Sequence, residues 1–144
     1  MKLRIKGNSL RLRVTRPELA TLAEGGQVAE VVRFGPGPRE RLAYVLRVAD
    51  LPAGAAVPAP SAGRTVWATL DGQEVRVTLA PAAMRRWREP DAVGVDGRQP
   101  VGTGEELYVL VEKDFACVDG PPGSEDPDAF RNPTAAGPAD GRTC

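Results

Sequence analysis

The chain's 144 residues carry 19 Lys/Arg against 19 Asp/Glu, no histidine and 42% apolar side chains. That is the composition of one globular domain, not of a disordered or membrane-spanning chain. The missing histidine excludes a Ser-His-Asp or Cys-His nucleophile and any His-ligated metal, leaving acid–base work to Asp, Glu, Lys, Tyr or Cys.

Charge is unevenly placed. Residues 1–50 hold ten Lys/Arg against five Asp/Glu, and residues 114–144 hold two against six. A basic head and an acidic tail can neutralise each other or seek partners. No apolar stretch is long enough to span a bilayer, and Lys2, Arg4 and Lys6 interrupt any signal-peptide core. The expectation is a soluble, cytoplasmic protein.

The first fifteen residues alternate basic and apolar on either side of Gly7-Asn8. The spacing predicts a hairpin with a two-residue turn, Ile5 facing Leu10, Leu3 facing Leu12 and Met1 facing Val14. Glycine at the first turn position suits a turn whose twist matches the strands. The other face collects Lys2, Arg4, Arg11 and Arg13, with Lys6 at the turn. Like charges opposite one another are unfavourable unless neutralised. Two readings follow: a surface for an acidic protein or small anion, or an outer face whose cations pair with Glu on neighbouring strands. Zero net charge and only seven aromatic residues argue against nucleic acid.

Thr15 and Glu18 form a capping box around Arg16-Pro17, opening a helix near 16–24 with Leu19 and Leu22 inward. Gly25-Gly26 stops it. Val28–Phe34 is a predicted strand, with Val28, Val32 and Phe34 on one face. Gly35–Pro38 is a loop. Arg41–Ala49 is a strand with Leu42, Tyr44, Leu46 and Val48 inward and Arg41 and Arg47 outward. Residues 50–63 form a Pro/Ala/Gly loop.

Arg64–Leu70 and Gln73–Leu79 flank Asp71-Gly72 as a second hairpin, with Val66 facing Val77, Ala68 facing Val75, and Trp67 opposite Arg76 as a cation–π pair. Pro81 opens a second helix over 81–88, with Met84 and Trp87 inward. Ala92–Val95 is a short strand and Asp96-Gly97 a turn. Gly102-Thr-Gly104 is a turn too, since no lysine or helix follows it as a phosphate loop requires. Leu107–Glu112 is apolar on both faces and suits a central strand. The expected core includes Ile5, Leu12, Leu46, Val77, Val109 and Val111. No internal repeat is evident.

Glu105, Glu106, Glu112 and Asp114 surround the last strand without the spacing of a metal site and read as solvated charge. Cys117 and Cys144 leave three readings open: a metal site completed in a dimer, a disulfide closing about 28 residues, or independent thiols. Independent thiols are favoured, since the cytoplasm is reducing. No cofactor is expected.

With these elements in place, the chain resembles a family of small bacterial proteins of unknown function. The resemblance rests on Lys2-Leu-Arg-Ile-Lys-Gly-Asn-Ser-Leu-Arg-Leu-Arg-Val-Thr15 with Glu18, on Glu106-Leu and Val111-Glu-Lys-Asp-Phe-Ala-Cys-Val-Asp119, and on Asn132-Pro133 and Cys144. It implies no activity, ligand or catalytic residue. It does place Cys117 and Cys144, as possible redox thiols, within the family pattern.

The fold expected is α+β: a mostly antiparallel, strongly curled or barrel-like sheet of six to eight strands with two short helices over 1–118. An acidic Pro/Gly-rich tail, extended or disordered, follows over 119–144. If the tail folds back, Asp126 and Asp128 should approach the hairpin, with Phe130 in a surface groove. The functional expectation is a non-enzymatic binding or accessory protein that engages an acidic partner through Lys2, Arg4, Lys6, Arg11 and Arg13. The alternative is a small enzyme acting on an anionic substrate, phosphorylated ones included, in a charged pocket with Glu112 or Glu74.

Overall fold

A computed structural model describes residues 1–50, 63–102, 104–116 and 127–132. Cys117, Cys144, Asp126 and most of the Pro/Ala/Gly loop lie outside the described residues.

The hairpin β1 (Lys2–Ile5) and β2 (Ser9–Val14) leads into helix α1 (Arg16–Ala23). Strands β3 (Gln27–Arg33) and β4 (Arg41–Val48) follow. Hairpin β5 (Val66–Asp71) and β6 (Glu74–Leu79) leads into α2 (Pro81–Trp87), then β7 (Gly94–Pro100) and β8 (Glu106–Lys113). No described helix is long and apolar enough to cross a membrane.

The N-terminal hairpin has the expected register, Ile5 opposite Leu10 and Leu3 opposite Leu12. Gly7 supplies the positive φ of 54° that its turn requires. At the start of α1, the Thr15 N–H and hydroxyl both donate to Glu18 Oε2, at 2.8 and 3.0 Å. Leu19 and Leu22 then reach the core.

The strands form two four-stranded sheets, ordered β1-β2-β8-β7 and β3-β4-β6-β5. Each sheet is mixed. Its outer pairs are antiparallel, and its central pair, β2 with β8 or β4 with β6, is parallel. The expected barrel-like curl is therefore corrected: the fold is α+β, but neither sheet closes. At one edge, side chains replace the ladder that closure would need. The Gln99 amide donates to Ala68 O at 2.9 Å and accepts from Ala68 N at 2.7 Å, and Thr65 Oγ1 donates to Asp96 O at 2.7 Å. A side-chain amide thus satisfies the exposed backbone of β5 without adding a strand.

The arrangement contains a repeat that the residues alone do not reveal. The β2–β8 ladder runs from Ser9↔Tyr108 to Val14↔Lys113, and the β4–β6 ladder from Ala43↔Glu74 to Val48↔Leu79. A shift of 65 residues carries Ser9–Val14 onto Glu74–Leu79 and Ala43–Val48 onto Tyr108–Lys113. The same shift maps the Lys2↔Arg13 pair onto Trp67↔Thr78, and Gly7 onto Gly72, whose φ is 55°. Each half of the chain is a hairpin, a helix and a second hairpin. Each sheet takes its first hairpin from one half and its second from the other, so the halves interlock.

Several local expectations change. The second hairpin turns at Gly72-Gln73, so Val66 pairs with Leu79, Ala68 with Val77 and Trp67 with Thr78. Gly72 occupies the first turn position, like Gly7, which moves the register by two and separates Trp67 from Arg76. Strand β7 runs straight through Asp96-Gly97 instead of turning there. Gly97 serves a close approach: a Cβ on it would sit 2.9 Å from Val66 O.

One core fills the space between the sheets and under both helices. It contains Leu10, Leu12, Val14, Leu46, Val66, Val77, Leu79, Val109 and Val111, with Leu19, Leu22, Met84 and Trp87 from the helices. Ile5 departs from expectation at 58% exposed. It ends the short edge strand beside the turn. Its counterpart Leu70 is exposed in the same way. Phe34 is also exposed rather than inward.

Residues 127–132 return to the domain. Phe130 bridges Phe115 in parallel. The Phe130 N–H donates to Asp114 O, and Ala116 N–H donates to Phe130 O, each at 2.8 Å. Arg16 donates through its backbone N–H to Asp128 O and through its guanidinium to Pro127 O. This stretch of the acidic tail is held by backbone bonds and by Phe130 against the core.

The burial pattern makes a contrast in stability. Val111→Ala should lower the free energy of unfolding by about 1–3 kcal/mol, through lost burial and a small cavity. Ile5→Ala should change it by less than about 0.5 kcal/mol. Urea denaturation measures both, and equal effects would contradict the assigned inner and outer positions.

Candidate functional site

Strand alternation puts Leu10, Leu12 and Val14 into the core and Arg11 and Arg13 on the outer face. On β8, Val109, Val111 and Lys113 point inward, and Glu112 points outward. The parallel register sets Arg13 beside Glu112. Glu112 Oε1 accepts from Arg11 Nε at 2.7 Å and from Arg13 Nε at 2.6 Å. Asp114 pairs with Lys2 and lies 4.0 Å from Arg13. The two carboxylates are sheltered, with side chains 12% and 5% exposed, while Lys2 is 63% exposed.

Of the five cations singled out in the sequence, the structure therefore gathers Lys2, Arg11 and Arg13 onto Glu112 and Asp114. Arg4 sits directly across the hairpin from Arg11 and makes no ion pair among the described residues. Lys6 is exposed at the turn and likewise makes none. Three hairpin cations thus meet two carboxylates, with Arg4 a fourth cation on the same face. Lys2, Leu3, Arg4, Arg11 and Arg13 line a small cavity of about 170 Å³ there. Glu112 and Asp114 are not solvated charge but the inner counterions of this face. Their signal was their two-residue spacing, which matches that of Arg11 and Arg13 and puts all four on one face of adjacent strands. Farther along the same sheet, Arg98 stacks 5.0 Å from the Tyr108 ring.

A second cluster ties β1 to β3. The amino group of Met1 donates to Glu18, and to Glu30 at 3.3 Å. Burial works to lower the pKa of the amine, but the bonds to Glu18 and Glu30 outweigh it and hold it above its ordinary value. Burial alone would raise Glu18. The Met1 ammonium and the Thr15 N–H instead keep it below the usual carboxylate range. Burial raises Tyr44, helped by the charges of Glu30 and Glu18.

A third cluster surrounds Lys113, which is only 4% exposed. Its Nζ donates to Glu89 O at 2.8 Å and lies 5.6 Å from the Phe130 ring centre. Burial lowers its pKa, and Asp91 and Glu89 offset part of that. Nothing in the sequence separates this lysine from an ordinary surface one except its inward phase on β8.

Among the described residues, no group of three or more His, Cys, Asp or Glu side chains could hold a metal ion. The described part of the site can pair anions and cations and donate several charged hydrogen bonds.

The charge cluster yields a direct expectation. Glu112→Gln leaves Arg11 and Arg13 a neutral acceptor and should cost about 1–2 kcal/mol at low salt, since both arginines are partly solvated. The cost should shrink in an Arg11→Gln, Arg13→Gln background. A urea midpoint unchanged by Glu112→Gln would return Glu112 to the status of a solvated charge.

No curated protein and no solved structure matches the chain. A family model does match, over residues 1–134, covering the hairpin, both sheets and the returning segment at Phe130. The chain therefore belongs to the family of unknown function DUF7009.

Proposed function

We propose that this protein is a non-enzymatic binding module that receives an acidic segment of a protein partner on the cationic face of its N-terminal hairpin. The observation that carries this reading is the charge imbalance on that face. Arg4 and Arg11 oppose each other, yet Glu112 and Asp114 are bound to Arg11, Arg13 and Lys2. A carboxylate arriving at Arg4 would relieve the repulsion across the hairpin. Guanidinium groups fixed on a sheet present planar donor forks that match carboxylates.

The inner carboxylates have a second consequence. They hold Arg11 and Arg13 in defined positions, so a ligand meets an ordered surface and loses less entropy on binding. The cations also lie on the outer face of an open sheet, around a cavity of only about 170 Å³. That shape suits side chains of a partner better than an enclosed substrate.

A short peptide rich in Glu and Asp, titrated into isotopically labelled protein, tests the reading. Shifts should concentrate in residues 2–13, and affinity should fall as sodium chloride rises. Arg4→Gln removes a cation that no described carboxylate holds, so it should leave the fold intact and weaken binding about tenfold, as expected for loss of one charged hydrogen bond. Shifts scattered over both sheets, or equal affinity in the variant, would overturn the proposal.

A further inference from the structure

The repeat pairs the edge strand β1 with the edge strand β5, and the two edges are finished differently. In the N-terminal hairpin the Lys6 N–H donates to Ser9 O at 3.2 Å, so Lys6 and Ser9 form a hydrogen-bonded pair. Bonded and non-bonded pairs alternate along an antiparallel ladder. Lys2 and Arg4 therefore turn their main-chain groups toward β2, and Leu3 and Ile5 turn theirs toward the open edge. The counterpart of Leu3 is Ala68, since Leu3↔Leu12 maps onto Ala68↔Val77. Both edge groups of Ala68 are met by the Gln99 side-chain amide.

The first half of the chain lacks that amide. Gln99 lies across from Leu107, and the position across from Leu42, 65 residues earlier, is Val32. A valine side chain has nothing to offer a main-chain N–H or C=O. Among the described residues no protein group bonds the open edge at Leu3 or Ile5. The Met1 amino group, at the head of β1, donates to Glu30 at 3.3 Å, so β3 borders this edge. Val28 packs against the core, and Val32 and Phe34 share its face of β3, exposed by 43% and 73%. An unfilled backbone slot thus lies beside exposed apolar side chains.

We propose that β1 takes up an extended segment of a partner protein as an added strand, with acidic and apolar side chains alternating along it. The proposal rests on the function read from the hairpin face and adds the conformation and sequence pattern of the bound segment. Main-chain bonds to Leu3 and Ile5 do for β1 what Gln99 does for β5. Side chains of the added strand alternate between the two faces. Those on the outer face lie beside Lys2 and Arg4, which calls for carboxylates. Those on the inner face lie beside Leu3 and Ile5, which calls for apolar groups. The same cations repel the basic edge of a second copy, so charge selects an acidic strand. Main-chain bonds supply affinity and the alternating side chains supply specificity.

The test titrates the isotopically labelled full chain with a short peptide alternating Glu and Val, and with one of equal composition in which Glu and Val are grouped in blocks. Two further copies of the alternating peptide are N-methylated at every other residue, one in each phase. The alternating peptide should slow amide exchange at Leu3 and Ile5 about tenfold and leave Ala68 unchanged. The block peptide, and one of the two methylated copies, should bind about tenfold more weakly, the loss expected for about one hydrogen bond, while the other methylated copy binds as before. Binding that Arg4→Gln weakens, but that leaves the Leu3 and Ile5 amides exchanging as before and ignores residue order and methylation phase, would overturn strand addition and keep the hairpin reading. An absence of shifts in residues 2–13 with any peptide would overturn both. Sedimentation of the free chain as a dimer with Leu3 and Ile5 already protected would give the edge to a second copy and overturn the proposed partner.

Discussion

The parallel pairing of β2 with β8 is the constraint on which the rest of the structure depends. It joins residues 9–14 to residues 108–113, nearly the whole described chain apart. On one face it packs Leu10, Leu12 and Val14 against Val109 and Val111. On the other it brings Glu112 to Arg11 and Arg13. One register decides both, because a slip by a single residue would put the charges into the core and the valines into water. The β4–β6 pair does the same for the core face of the second sheet, with Leu46 against Val77 and Leu79. Since neither sheet can form from one half of the chain, the halves must find each other before either core is complete. Such long-range pairing slows folding but makes it cooperative.

The repeat also explains why the two outer faces differ chemically while sharing a backbone plan. At one position the first sheet carries Glu112 with two arginines around it, and the second carries Arg47, whose ladder neighbours are Gln27 and Thr78. The first face meets most of its charge internally and leaves a small surplus on β1. That surplus also sits on an edge strand, where Lys and Arg discourage pairing with another chain. Edge protection and the proposed recognition of an acidic partner would use the same cations without conflict. On the second face the buried Arg47 Nε has no hydrogen-bond partner among the described residues.

Local chemistry was readable from the residues wherever a short motif governs it. The Gly7-Asn8 turn, the Thr15–Glu18 pair and Pro81 as a helix start needed no tertiary information. Leu107–Glu112, apolar on both faces, revealed a central strand. What stayed hidden depends on contacts distant in sequence. Asp71-Gly72 reads locally as the centre of a turn, but Gly72 takes the first turn position. Asp96-Gly97 reads as a turn, but Gly97 is there because β7 crosses close to Val66. The repeat escapes notice because its halves share shape, not residues: Leu19 answers to Met84, Leu22 to Trp87 and Arg47 to Glu112. The hairpin cations were visible, but their counterions were not. Glu112 and Asp114 reach them only through the parallel register.

Native-state hydrogen exchange of the central strands tests the interlocked architecture most directly. If the halves complete each other, the slowest amides of β2, β4, β6 and β8 should open together, at the free energy measured for global unfolding in urea. Exchange of β2 and β8 as a unit at a clearly different free energy from β4 and β6 would show two sheets that open independently, and would contradict the account.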